Sequence, residues 1–173
     1  MVFGMSLATY TLLHVVVSLI GIAVGLVALV GMLMARPLPG WTALFLAMTI
    51  LTSVTGFFFP VDKLLPSHVV GIISCVLLAI ACFALYGRKM SGWWRPVYVV
   101  TAMASLYLNV FVGIIQSFLK IGPLHALAPS VPPSGLVFAV VQGVVLLIFI
   151  GISIAALKKF RPDVIQPSGH AMR

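Results

Sequence analysis

Five apolar runs, each about 18 to 25 residues long, constrain this chain more than any other feature, because that length of helix spans a hydrocarbon core of about 30 Å. They lie near residues 11–34, 42–59, 68–87, 97–119 and 136–157. The breaks ARPLPGW, FPVDKLLPS, GRKMSGWWRP and KIGPLHALAPSVPPSG combine charge with the proline and glycine that end helices. The spacing predicts an all-α membrane protein: one bundle of five transmembrane helices over residues 1–163, followed by a polar tail, 164–173, expected to be disordered. The run 42–59 is the shortest of the five.

Composition supports lipid as the solvent. A chain that is 62% hydrophobic and 7% charged leaves too much apolar surface for a water-soluble globule. The net charge of +8 sits in the gaps between runs rather than along a face, so it reports topology and not a nucleic-acid ligand. The opening MVFGMSLATYTLL has no lysine or arginine ahead of its apolar stretch, which outruns a secretory signal core; it reads as a mature helix.

Orientation follows from the cations, which short cytoplasmic loops retain. Arg36, Arg88, Lys89, Arg95, Lys158, Lys159, Arg161 and Arg173 fall on one side, and Lys63 and Lys120 on the other. The amino terminus is therefore expected outside and the carboxyl terminus in the cytoplasm. Tyr86, Trp41, Trp93 and Trp94 become aromatic anchors at the cytoplasmic interface.

Most polar residues within or beside the runs then lie toward the outer leaflet: His14, His68, His125, Gln116 and Gln142, with Asn109 near mid-bilayer. His14, Ser18, Gly21 and Gly25 share one helix stripe, which points His14 into the bundle, and Gly21 to Gly25 is a GxxxG pair. That pair is a candidate contact for intrachain packing, a homo-oligomer or a membrane partner subunit. Similar small-residue stripes run through His68, Gly71, Cys75 and Ala79, and through Thr49, Thr52, Ser53 and Gly56; Ser105, Asn109, Gln116 and Lys120 share a face of the fourth run.

Ionisable groups inside a membrane are costly, and imidazole is the commonest metal ligand. Two inward histidines at matched depth, His14 and His68, make a candidate cofactor site for haem b or a single transition metal, with Gln116, Gln142 and Asn109 hydrogen-bonding the bound group. His125 is a candidate third metal ligand. A haem would confer a redox role. Methionines Met32, Met34, Met48 and Met90 lie at the inner end or in mid-helix, away from an outer copper route.

Other chemistries lack residues. Asp62 and Asp163, the only acids, fall outside the runs, so no carboxylate drives ion coupling. Cys75 and Cys82 lie seven apart on one helix and cannot pair with each other. No CxxC pair, phosphate loop or Gly-x-Ser-x-Gly elbow occurs, and no enzyme class follows. Two alternatives stand beside the cofactor reading. One is a non-catalytic subunit or assembly factor; the other is a channel or carrier for a small neutral solute, lined by Thr49, Ser53, Ser105 and Asn109.

The stretch LYLNVFVGIIQSFLK followed by LHALAPSVPP, with SHVVGIIS earlier, resembles a group of small bacterial multi-pass inner-membrane proteins with no assigned activity. The resemblance runs from His14 to about Arg161 and implies a bacterial inner-membrane setting. In outline the chain is also similar to membrane cytochromes of the b561 type, which use histidine pairs on both sides of a bundle. It departs from them in offering one outer pair and no intramembrane histidine toward the inner side.

Overall fold

A computed structural model describes residues 2–60 and 66–161. Helices joined by short connections make up most of these residues, with no strand among them beyond one isolated bridge between Val2 and Met5. The elements are α1 (Leu7–Leu33), α2 (Pro39–Gly56), α3 (Pro66–Cys82), a π-helical turn (Phe83–Gly87), α4 (Trp94–Lys120), α5 (Gly122–Leu127) and α6 (Leu136–Lys159). The tail 164–173, with Lys63, Asp62 and Asp163, lies outside the described residues.

Local chemistry sets the helix ends. The Ser6 hydroxyl accepts from the Thr9 amide at 3.1 Å and starts α1 four residues before the apolar run, as an N-cap does. Pro39 opens α2, where a missing N–H is harmless. At the other end of α1, Arg36 N–H reaches the Gly31 carbonyl at 2.8 Å and Ala35 N–H reaches Met32 at 3.2 Å, so the chain reverses in a Schellman turn. Gly31 is required there, since a Cβ would stand 2.9 Å from the Arg36 carbonyl oxygen.

Four helices are long and apolar enough to cross a membrane: α1, α3 with its π-helical turn, α4 and α6. The shorter α2 has 18 residues and carries Thr42, Thr49, Thr52, Ser53 and Thr55, which thin its apolar content. It nonetheless packs antiparallel to α1, with Tyr10 donating to the Thr55 carbonyl at 2.7 Å near one end and Gly25 against Phe45 toward the other. Side chains facing outward are large and apolar, as a lipid-embedded surface requires: Leu12, Leu19, Ile72 and Leu147 are all more than half exposed.

Helices α1, α2, α3 and α4 close a ring in which each packs on its two neighbours, and α6 leans on the outside of it against α4 and α1. The core lies at one end of this ring. Val24, Ala28, Phe45, Leu78, Ala81, Tyr98, Ala102 and Leu106 are buried together there. That same end carries Arg36, Arg88, Lys89, Arg95, Lys158, Lys159 and Arg161, whereas among the described residues only Lys120 is a lysine or arginine at the opposite end. Trp94 packs edge-on against Phe83 at 5.1 Å and under the Arg88 guanidinium at 5.6 Å, so the aromatic residues expected at the basic end are found there.

Arg95 fastens α6 to the ring. Its guanidinium donates to the Leu157 carbonyl at 2.9 Å and to the Phe160 carbonyl at 2.6 Å, capping the negative end of α6 from the first turn of α4. Arg95→Ala removes both charge-assisted bonds and is expected to lower stability by about 1.5–3 kcal/mol. Thermal unfolding in detergent should show the loss, with Arg95→Lys intermediate because both carbonyls are met by the single Nη1, a position that the shorter lysine side chain reaches less well while it keeps the charge at the end of α6.

Candidate functional site: a polar cavity inside the four-helix ring

The end of the ring away from the basic residues is not filled. A cavity of about 570 Å³ opens there between α1, α2, α3 and α4, within the size range of small-ligand sites. Glycine and aromatic residues shape it: Gly56 leaves 3.8 Å between its missing Cβ and the His14 ring, and Gly71 lets Phe57 approach to within 3.0 Å of where a Cβ would be. The Phe59 ring meets His14 edge-on at 5.2 Å, and Phe57 lies 6.0 Å from His68.

Of the residues singled out by the sequence, the fold brings His14, His68, Asn109 and Gln116 to the wall of this one cavity, with Lys120 at its outer end. Gln142 and His125 are not among the wall residues. Gln142 belongs to α6, outside the ring, where its Nε2 donates to the Phe111 carbonyl at 3.2 Å. His125 belongs to the short α5, with Nδ1 at 3.2 Å from the Phe118 carbonyl. Among the described residues no three of His, Cys, Asp and Glu are grouped as a metal site.

Of the solute pore residues, Thr49, Ser53 and Asn109 line the cavity, whereas Ser105 is fully buried beneath it. The cavity ends at mid-bundle, where Gly25, Phe45 and Leu106 meet. Gly21 and Gly25 face α2 and α4 of the same chain, so their stripe is occupied inside the bundle. On α3 the inward face runs through His68, Gly71, Ser74 and Leu78, one step round from the Cys75 and Ala79 expected there.

Several hydroxyls in the wall give their hydrogens to carbonyls of their own helices, whereas Thr52 Oγ1 has no partner in the protein. Thr49 donates to the Phe45 carbonyl at 2.8 Å, Ser18 to His14 at 2.7 Å and Ser117 to Gly113 at 2.8 Å; Ser53 bridges the Thr49 carbonyl and the Ser74 hydroxyl. The nitrogen-bearing side chains His14, His68, Asn109 and Gln116 add to these hydroxyls in the wall. Among the described residues no acid lines the wall; Asp62 and Asp163 lie outside them.

His14 is held in one tautomer by a residue the sequence reading passed over. The Thr55 hydroxyl donates to the Leu51 carbonyl at 2.6 Å, so toward the ring it can only accept. With the hydroxyl hydrogen assigned to Leu51, His14 Nδ1, 2.8 Å from the same oxygen, is the donor of the pair. Nε2 is left with its lone pair. This is how a second residue orients a metal-ligating histidine, and it equally prepares the nitrogen to accept a hydrogen bond. A threonine four residues beyond Leu51 at the end of a helix was the available signal.

Two further wall atoms are unusual. Asn109 Nδ2 and Thr52 Oγ1 are buried with no hydrogen-bond partner in the protein. Asn109 is only 9% exposed, and its amide sits beside Gly21, at the cavity floor. Comparison with known protein families, curated proteins and solved structures finds no match for this chain.

Proposed function

We propose that this is a five-span protein of the plasma membrane, amino terminus outside, that binds a cofactor or small ligand in its outer cavity, with His14 as the group that holds it. The clustering of cations at one end supports the orientation by the positive-inside rule. The antiparallel packing of α2 between α1 and α3 supports counting it as a fifth span.

One observation carries the binding reading: a histidine whose Nδ1 is tied to the Thr55 hydroxyl lines a cavity inside a helical bundle, which leaves Nε2 for an occupant. Haem b or a single transition metal suits that nitrogen, with His68 contributed by a second wall of the same cavity. His125, bonded to the Phe118 carbonyl, lies outside this arrangement.

The test is the absorption spectrum, elemental content and solvent-extractable organic content of the detergent-purified protein, for wild type and for His14→Ala and His68→Ala. A Soret band, a stoichiometric metal or a stoichiometric organic molecule, lost in His14→Ala, is the expected result. An empty wild-type protein that takes up neither haem nor metal nor organic ligand would sink the reading and leave that of a non-catalytic subunit.

A further inference from the structure

A second cavity lies at the basic end of the bundle and shares no wall residue with the first. It encloses about 150 Å³ between the turn joining α1 to α2, the π-helical turn after α3 and the end of α6. Its floor is made by Ala28, Met32, Tyr98 and Phe160, all buried, and its rim by the exposed Arg36 and Tyr86. Ala35, at φ 55°, is the left-handed residue of the Schellman turn that ends α1, and Arg36 follows it at the rim.

The two levels of this cavity suit the two ends of one molecule. Ala28, Met32 and Phe160 are apolar, so hydrocarbon that reaches them is removed from water at a gain. At the rim, a guanidinium matches the oxygens of a phosphate, and the Tyr86 ring suits the boundary between hydrocarbon and headgroups. The lysines and arginines gathered at this end have no acid among the described residues to offset them, and a cleft with low-dielectric walls focuses their potential on an anion. A bare anion leaves the floor unfilled, and an uncharged hydrocarbon leaves Arg36 unused.

We infer that this cleft binds an anionic glycerophospholipid of the adjoining leaflet, its phosphate on the Arg36 guanidinium and part of one acyl chain over Met32 and Phe160. Basic pockets between membrane helices are known to take such headgroups. The site is separate from the outer cavity and stands whether or not that cavity holds a ligand.

Binding is read by native mass spectrometry of the purified full chain, titrated with dioleoyl phosphatidylglycerol and with dioleoyl phosphatidylcholine, which share their chains and differ in headgroup. Wild type is expected to bind phosphatidylglycerol about tenfold more tightly. Arg36→Gln is expected to lose about thirtyfold in that affinity, as the loss of charge-assisted hydrogen bonds does, while melting as wild type does because Arg36 is exposed. Lys158→Gln removes the same charge at the same end but outside the cleft wall, and is expected to lose at most about fivefold, the share of one cation in a diffuse surface field. Glycerol 3-phosphate, a phosphate headgroup without chains, is expected to leave the bound lipid in place.

Equal binding of the two lipids by wild type overturns the inference. So does an equal loss in Lys158→Gln and Arg36→Gln, which would assign the attraction to the whole basic end rather than to the cleft. Displacement of the lipid by glycerol 3-phosphate would make this a site for a soluble phosphate and overturn the lipid.

Discussion

Gly25→Leu is expected to prevent the ring of four helices from assembling, the largest structural effect of any single substitution in the bundle. A Cβ at Gly25 would stand 2.6 Å from Leu106 Cδ1 and 2.8 Å from Phe45 Cδ2, where no real contact lies. Leu106 could turn a methyl aside, but the Phe45 ring is 2% exposed, in a filled core, with nowhere to go. Overpacking by a methyl or two costs about 1–3 kcal/mol; a whole isobutyl group at the junction of α1, α2 and α4 exceeds what a marginally stable domain tolerates. Gly25→Ala should fold with a lowered melting temperature, and Gly40→Ala, with nothing within 4 Å of its Cβ, should be unchanged. Size-exclusion profiles and thermal unfolding in one detergent separate the three. A monodisperse, cooperatively melting Gly25→Leu protein would show that α1 does not approach α2 and α4 this closely.

That same junction explains what could be read in the sequence and what could not. The helical spacing of His14, Ser18, Gly21 and Gly25 put one stripe inward, and the fold has it there, with Gly21 beside Asn109 and Gly25 against Phe45. Asn109, Gln116 and Lys120 were predicted on one face and do share a cavity. Periodicity sufficed because each of these residues sits on a long helix whose other faces are apolar. It failed where a choice between neighbouring faces turns on packing partners. Ser74 rather than Cys75 points inward because α3 is rotated to bring His68 and Gly71 to the wall near Phe57.

Depth alone also misplaced Gln142. It lies at the expected level on its helix, but α6 packs outside the ring, and nothing along an all-round apolar helix such as LVFAVVQGVVLLIFIGISIAAL reveals which neighbours it will have. The break KIGPLHALAPSVPPSG holds the short helix α5, with Pro123 in its first turn, too short for a periodic signal. Helix ends ran beyond the apolar runs wherever polar residues completed the turn, as Ser6 and Thr9 do at α1. The unmet hydrogen-bond capacity of Asn109 was invisible in sequence, because it depends on which carbonyls fail to reach the amide.

His14→Ala is expected to empty the cavity outright, and Thr55→Val to empty it only in part. The first removes the lone pair that holds the occupant; the second leaves the imidazole in place but deletes the oxygen that fixes its tautomer at 2.8 Å. Outer-shell partners of ligating histidines are worth about 10- to 100-fold in affinity, so Thr55→Val should weaken retention by that factor. Valine is nearly isosteric and the lost hydroxyl bonded its own helix, so folding should be little affected. His68→Ala distinguishes the occupants: a group held by both imidazoles needs both rings, whereas one held by His14 alone needs only the first. Occupancy per polypeptide after purification, measured by absorbance, elemental analysis and mass spectrometry of an extract, ranks the variants. A Thr55→Val protein that keeps its occupant as wild type does would separate the His14 tautomer from binding, and retention by His14→Ala would place the holding group elsewhere in the cavity.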